Sequence, residues 1–177
     1  MTVSAATLQF RGYLLENVYR ITSSEQRAEA VAFWLAQGAL ASRREAVRRA
    51  FEIVYLVRSA GGTLAGMCTA ALRSGAREES SYYAFRMFLR REDRVPYLMR
   101  AVTNATRDFL SALEHPEPRP AGMVIVAENA KLMRPGIRRY FQRHGYAFRG
   151  TTSAGRDVWL APFAPRMTRP YPDEAIG

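Results

Sequence analysis

The sequence predicts a mixed α+β domain, an αβα sandwich built on one central sheet, and three observations lead to that fold class. Met123–Ala127 is a short, continuous apolar run rich in β-branched residues, which is typical of a central strand. Ile137, Tyr140 and Phe141 then recur at helical spacing. Gly145 can adopt the left-handed conformation that ends a helix, and an extended segment follows it.

The remaining elements are predicted from the same kinds of pattern. Ser23 or Ser24 can cap a first helix, and Ser42 can cap a second. Residues 1–17 are expected to form an arm or an extra strand. In chain order, we predict a first strand at Val18–Thr22, helices near 24–37 and 42–51, a hairpin near 53–73 whose alternation begins at Phe51, a strand near 82–90, a long helix from Pro96 to Leu113, the strand at 123–127, a basic helix closed by His144-Gly145, and a final hairpin.

Length and composition favour one non-membrane domain. A chain of 177 residues is long enough to bury a core of ordinary size. We predict a single domain over 1–163 and a proline-rich tail over 164–177. The sequence has no run of about 18 apolar residues, and its start has no basic-then-apolar secretion pattern. A cytoplasmic protein with no membrane contact is therefore expected.

The few cysteine and histidine residues exclude two kinds of site. Cys68 is the one cysteine, so an internal disulfide is impossible, and its apolar neighbours predict a small core side chain rather than a nucleophile. His115 and His144 have no metal-ligand spacing, either with each other or with Cys68. No metal site is predicted.

The charge is strongly basic, at a formal net +10, and 25 of the 26 basic residues are arginine. The stretch from Arg134 to Arg169 contains eight arginines and one acidic residue, Asp157. Such a surface favours polyanions, including nucleic acid and the phosphates of a nucleotide cofactor. An acidic protein surface is an equally open partner. The basic helix supplies the arginines proposed for this contact: Arg134, Arg138, Arg139 and Arg143.

The final third resembles the GNAT superfamily of acyl-CoA N-acyltransferases. Members typically carry an asparagine after the fifth strand, an aromatic residue near the end of the next helix, and glycine followed by phenylalanine or tyrosine. Asn129, Tyr140-Phe141 and Gly145-Tyr146 look like these positions. The resemblance implies a mostly antiparallel sheet with a splayed parallel pair and helices on both faces. It also implies acetyl-CoA or another acyl-CoA as cofactor and an amine as acceptor.

The same resemblance implies that the cofactor diphosphate lies at the start of the long helix. The usual solution there is a glycine-rich turn, whose backbone N–H groups approach the phosphates. The matching stretch has no glycine, and its Glu92 and Asp93 are expected to repel an incoming diphosphate. Residues 91–94 could also form merely a solvated turn with local ion pairs. Arginine side chains can replace the backbone donors because guanidinium groups bind phosphate in a bidentate manner. The predicted cofactor-binding residues are Phe88, Leu89, Arg90, Arg91, Arg94 and Asn129.

Two catalytic residues are predicted by the resemblance. In many relatives a tyrosine four residues before the helix-closing glycine protonates the departing thiolate, and that position here is Phe141. Tyr140 is adjacent, about 100° away around the helix, so it can serve if an insertion at residues 131–136 changes the register. Glu128 ends the predicted central strand, where open α/β sheets place ligands, and is predicted as the base.

Two other functions stay open. The protein could keep this architecture without its cofactor site and act as a structural or binding protein, because fold does not determine activity. The pattern from Glu128 to Tyr146 resembles phage-encoded proteins of this fold that act in virion assembly or ejection, which would place the chain in a virion. An enzyme acting on a nucleic-acid base is a third possibility permitted by the charge.

Overall fold

The computed structural model describes residues 7–75, 81–115, 117–128 and 130–163. Within them, eight strands form one sheet in the order β1-β2-β3-β4-β5-β6-β8-β7, and four α-helices cover it. The bounds are β1 Thr7–Phe10, β2 Tyr13–Asn17, α1 Ser24–Ala36, α2 Arg43–Ala50, β3 Ile53–Arg58, β4 Leu64–Ser74, β5 Ser81–Leu89, α3 Leu98–Ala112, β6 Gly122–Val126, α4 Pro135–Arg143, β7 Ala147–Thr151 and β8 Asp157–Pro162.

The strand pairing confirms the predicted fold class. Every described pair is antiparallel except β5 with β6. A parallel pair needs a crossover connection, and α3 supplies it. The sheet is therefore mostly antiparallel with one parallel pair, as the sequence predicted, while the predicted tail at 164–177 lies outside the described residues.

The two faces of the sheet are buried under different helices. Met67 and Phe88 are cross-strand partners on β4 and β5, and they pack with Trp34 under α1 and α2. Their neighbours along the strands point the other way because side chains alternate in a β-strand. Cys68 accordingly belongs to the second core cluster, with Val102 of α3. Helices cover both faces.

The predicted first strand at Val18–Thr22 is wrong. The chain turns there, because the Asn17 Oδ1 accepts the backbone N–H of Tyr19 at 3.1 Å and the Thr22 hydroxyl donates to the Val18 carbonyl at 2.9 Å. The strand that precedes α1 is instead β2, and β1 pairs with it as a hairpin. Short polar side chains that bond to nearby backbone favour such turns over strands.

The predicted helix bounds hold to within one or two residues. Ser23 caps α1 in a capping box with Gln26, as predicted for a serine at that point. The long helix begins at Leu98 rather than Pro96, because Tyr97 adopts a left-handed φ of 67° that interrupts helical geometry. Phe51 does not begin the next strand: it caps the end of α2 with 65% of its surface exposed.

Gly66 on β4 lies directly against the backbone of β5, and substitution there is expected to be costly. A Cβ atom at Gly66 would lie 2.3 Å from the Phe88 carbonyl oxygen and 2.9 Å from the Leu89 Cα. Both are backbone atoms, so Gly66→Ala must displace β5 and should cost about 2 to 3 kcal/mol in urea unfolding. Gly61→Ala is the control, since nothing lies within 4 Å of its Cβ position. Equal unfolding midpoints for the two variants would contradict this packing.

Cys68 is expected to make stability fall at alkaline pH. The thiol is buried, 3.2 Å from the Thr106 hydroxyl, and burial raises its pKa from 9.0 to about 11. Between those values the unfolded thiol ionises while the native thiol keeps its proton. The free energy of unfolding should therefore lose up to about 1.4 kcal/mol per pH unit in that window and nothing below it. Urea unfolding of wild type and Cys68→Ala measures the difference, and parallel pH profiles would contradict it.

Candidate functional site

The parallel strands β5 and β6 separate at one end, which leaves an opening between them. Pairing between them covers three residues of each strand and ends at Phe85 with Ile125. Beyond that point β5 stays paired with β4 as far as Leu89. Strand β6 instead follows β8, and the backbone N–H of Ala127 donates to the Asp157 carbonyl at 2.9 Å. The outer edge of β5 from residue 86 to 89 therefore borders the opening.

A small cleft lies at the mouth of this opening, with a cavity volume of about 50 Å³. It is bounded by α1 and α2, by one face of β4 and β5, and by the residue that follows Ala127. Apolar side chains form its floor, and charged side chains lie both at its open end and in its interior. The lining residues are Trp34, Ala39, Leu40, Arg49, Met67, Thr69, Arg86, Met87, Phe88 and Glu128.

Glu128, the predicted base, stands at the open end of the cleft. Its side chain is 57% exposed, and its Oε1 lies 3.5 Å from the Nε of Arg86 on β5. The pair spans the gap between β5 and the end of β6. An exposed pair of this kind is weak, so a substrate can separate it at small cost. The carboxylate is thus positioned to meet a cationic group that enters the cleft.

The turn between β5 and α3, residues 90–97, is shaped by a buried carboxylate. Asp93 is 6% exposed and accepts the Arg90 Nε–H at 2.7 Å. Its other oxygen accepts the Tyr13 hydroxyl at 3.0 Å, and burial followed by this bond raises the pKa of Tyr13. Glu92 is exposed and also contacts Arg90, at 3.0 Å. The expectation that these acids form a merely solvated turn is wrong for Asp93.

The other predicted cofactor-binding side chains lie along β5 and this turn. Phe88 lines the cleft and packs edge-on against Phe33. Leu89 is buried in the core at 4% exposure. The Arg94 Nε donates to the Leu89 carbonyl at 3.0 Å, with its guanidinium over the Phe88 ring, and Arg91 is exposed. Asn129 lies outside the described residues.

The architecture is shared with solved acetyltransferase structures. A ribosomal-protein-S5-alanine acetyltransferase from Vibrio fischeri superposes with a TM-score of 0.58 at 10% identity, covering 90% of this chain and all of that one. A putative GNAT-family acetyltransferase from Bordetella pertussis gives 0.57 at 14% identity, covering 88% and 98%. A GNAT-family acetyltransferase from Streptococcus pneumoniae gives 0.57 at 12%, covering 86% and 99%.

The chain has the GNAT fold. At these identities the similarity establishes the architecture alone. No protein-family model and no curated protein sequence matches the chain. The chemistry of this chain therefore depends on the residues that it places on the GNAT fold.

Helix α4 places the two adjacent aromatic residues on different faces. Phe141 packs against Tyr146 and Trp159, with ring centroids 5.0 and 5.2 Å away, so it belongs to the core. Tyr140 stacks instead on His144 at 4.1 Å. The cleft lining includes Glu128 and, within the described chain, no residue of α4. The structure therefore does not bring Tyr140 and Glu128 together in one cleft, and the role of Tyr140 stays a prediction.

The basic residues of α4 divide into one structural arginine and three surface arginines. Arg138 donates from Nε and Nη2 to the buried Asp157 carboxylate at 2.6 and 2.7 Å, and this pairing raises the pKa of Arg138. The other three, Arg134, Arg139 and Arg143, are exposed. The Arg138 side chain is still 48% exposed, and the contact of these four arginines with an anionic partner stays a prediction.

Sequence reasoning missed three polar residues of the cleft. Thr69 and Arg86 are cross-strand partners on β4 and β5, and Arg49 reaches the cleft from α2. Alternation along β5 places Arg86 and Phe88 on one face, which was the one available signal.

Among the described residues no cluster of three or more potential metal ligands occurs. None of the helices there combines the length and apolar character needed to cross a bilayer.

Proposed function

We propose that this protein transfers an acyl group from an acyl-CoA to an amine. The observation that carries the proposal is the opening between β5 and β6, which has a carboxylate at its mouth. Glu128 is exposed there beside a cleft with an apolar floor. The GNAT-fold neighbours are described as acetyltransferases, which supports the same class of chemistry.

The edge of β5 suits the arm of the donor. Past Phe85 this edge has no pairing with β6. Those backbone N–H and C=O groups of residues 86–89 that face away from β4 can therefore bond to an extended amide-containing chain as a further strand would. Backbone N–H groups in such an edge can also polarise a carbonyl oxygen. A bound acyl-CoA would supply its acyl group as a thioester. Phe88 and Leu89 would bound that arm.

The β5–α3 turn offers side-chain donors in place of backbone donors to a diphosphate. Arg90, Arg91 and Arg94 outnumber the two acids of the turn, and Asp93 is already paired with Arg90. Arg91 and Arg94 would therefore carry most of the phosphate contact, with Asn129 a further proposed contact. Binding through exposed guanidinium groups is weakened by salt.

Glu128 would act on the acceptor. A primary amine arrives largely as an ammonium ion at neutral pH, and only its neutral form can attack a carbonyl carbon. The Glu128 carboxylate attracts the ammonium and takes its proton, directly or through water. Tyr140 is the proposed donor of the proton that the departing thiolate takes up to become a thiol. Full turnover by Tyr140→Phe would remove it from that role.

The test measures cofactor binding and turnover separately. Acetyl-CoA is expected to raise the thermal midpoint, because a ligand that prefers the native state must stabilise it. Thiol release from acetyl-CoA and longer acyl-CoAs, measured with a panel of amines, should depend on the amine added. The proposal fails if no acyl-CoA shifts the midpoint and none is consumed with any amine.

A second candidate function is polyanion binding by a chain that no longer uses acyl-CoA. Two observations favour it: Arg90 is paired internally with Asp93 in the β5–α3 turn, and Arg134 before α4 and Arg139 and Arg143 on α4 are exposed. The partner would be nucleic acid or an acidic protein surface. Retention on DNA that falls steeply with salt, and falls again when those three arginines become glutamine, would support it. A response to acyl-CoA without DNA retention would exclude it.

A further inference from the structure

Arg49 is a largely buried cation at the back of the cleft with an unused donor. Its side chain is 15% exposed, and its Nη2 lies 2.5 Å from the Oε1 of Glu45 one helical turn earlier. Its Nε is buried and has no hydrogen-bond partner. Leaving a guanidinium N–H unsatisfied is costly, and such groups in native proteins call for an explanation. The same guanidinium group lines the cleft, so a ligand that enters the cleft meets a largely buried cation.

The neighbours of Arg49 point to an oxyanion as that ligand. Arg86 lines the same cleft and is held by the exposed Glu128 at 3.5 Å. Thr69, its cross-strand partner on β4, adds a hydroxyl to the lining. Two guanidinium groups and a hydroxyl converge on a small space that contains one carboxylate. Arginine pairs best with planar carboxylates or with phosphates.

The charges are also arranged in sequence across the cleft. Glu128 is at the open end, where the base was predicted, Arg86 is beside it, and Arg49 is the more buried of the two arginines, at 15% exposure against 47%. A zwitterion that places its ammonium group against Glu128 directs its anionic group towards the two arginines. Arg86 and Glu128 then separate: Glu128 pairs with the ammonium group of the ligand, and Arg86 pairs with its anionic group.

The geometry points to an acceptor that carries a carboxylate close to its amine, as an amino acid does, with Arg49 and Arg86 as the carboxylate-binding residues. The apolar side chain of the acceptor would lie against the cleft floor, formed by Trp34, Leu40 and Phe88. The inference that this ligand is an acyl acceptor rests on the proposed acyl transfer. The binding of the carboxylate itself stands on the cleft alone.

The test compares acids with their neutral counterparts in the full-length protein. The probes are the twenty common amino acids, their α-amides, and for leucine also isoamylamine and the aminophosphonate analogue. Binding is measured by calorimetry without acyl-CoA, and turnover by thiol release with acetyl-CoA. At least one amino acid should bind and its amide should not. The phosphonate arm decides whether a phosphate-like group replaces the carboxylate, and tighter phosphonate binding would overturn the assignment to a carboxylate.

Two variants and a matched control identify the residues. Arg49→Gln should weaken amino-acid binding by about tenfold or more, since it removes a charge-assisted hydrogen bond in a largely buried place. Arg86→Gln, at a half-exposed position, should weaken it without affecting folding. Arg44→Gln alters an exposed arginine of the same helix that is absent from the cleft lining, and should change nothing.

The outcomes separate this inference from the proposed function. Arg49-dependent binding of an amino acid without any thiol release would leave the carboxylate site standing and contradict acyl transfer. Equal turnover of leucine and isoamylamine, unchanged in Arg49→Gln and Arg86→Gln, would keep acyl transfer and overturn the carboxylate site. Absence of binding by all twenty amino acids would also overturn it. If Arg49→Gln loses its native circular dichroism, Arg86→Gln decides the question.

Discussion

Glu128→Gln is expected to lower kcat by about 100-fold, the usual contribution of a positioned general base. The substitution keeps the size of the side chain and removes its ability to take a proton. Because Glu128 is 57% exposed and contacts Arg86 only at 3.5 Å, the variant should fold normally. The KM for acyl-CoA should change little, because the side chain lies on the acceptor side of the cleft. Steady-state thiol release at saturating acyl-CoA measures the effect.

Asp108→Asn is the control for that experiment. Asp108 lies on α3, and its side chain is 71% exposed in contact with Arg107. It is an acid of comparable exposure that is absent from the cleft lining. Its replacement should leave kcat within about twofold, as for most surface substitutions. Equal activity of wild type and Glu128→Gln would remove Glu128 from catalysis, and no other described residue of the cleft lining is an acid or a histidine that could replace it.

Asp93→Ala is expected to destabilise the protein by about 3 kcal/mol, because it leaves polar partners of a buried carboxylate unpaired. The carboxylate holds the nearby Arg90 and also Tyr13, which lies 80 residues away along the chain. Its loss should loosen the β5–α3 turn against the β1–β2 hairpin. Chemical unfolding gives the free-energy change, and the KM for acyl-CoA should change in parallel because the turn would no longer hold its arginines in place.

Glu92→Ala provides a matched comparison. Glu92 is the preceding residue, carries the same charge and contacts the same Arg90 Nε, but its side chain is 65% exposed. Exposed pairs contribute little, so its loss should cost less than about 0.5 kcal/mol. Tyr13→Phe, which removes one hydrogen bond to Asp93, should fall between the two. Equal effects of Asp93→Ala and Glu92→Ala would show that the buried pairing does not shape the turn.

Most of the fold could be predicted because apolar periodicity reports burial directly. The helices α1 and α2 and the strands β3 to β6 have clear spacing and cap signals, and they appear where predicted. The hairpin of β1 and β2 was missed because β1 is an edge strand with almost no buried side chain. One sequence signal was present, Gly12, because a two-residue hairpin turn needs a positive φ, which Arg11 and Gly12 both adopt in the structure.

Only the part of the candidate site that lies at the end of β6 could be predicted from the sequence. Glu128 follows β6 directly, so its place at the opening could be inferred from the chain order. Arg49, Thr69 and Arg86 meet through cross-strand register and helix packing, and no local pattern reports such contacts. Asp93 was expected to repel phosphate, since nothing in its neighbourhood reveals the hydroxyl of Tyr13.

The central claim, that the opening between β5 and β6 receives an acyl-CoA, is tested most directly by methyl NMR of the methionines. Met67 lines the cleft and Met87 lies on the part of β5 that is not paired with β6, whereas Met123 is buried on β6 within the part that stays paired with β5. Addition of acetyl-CoA should shift the methyl signals of Met67 and Met87 and leave that of Met123 unchanged. A spectrum in which saturating acetyl-CoA moves neither Met67 nor Met87 would contradict the claim.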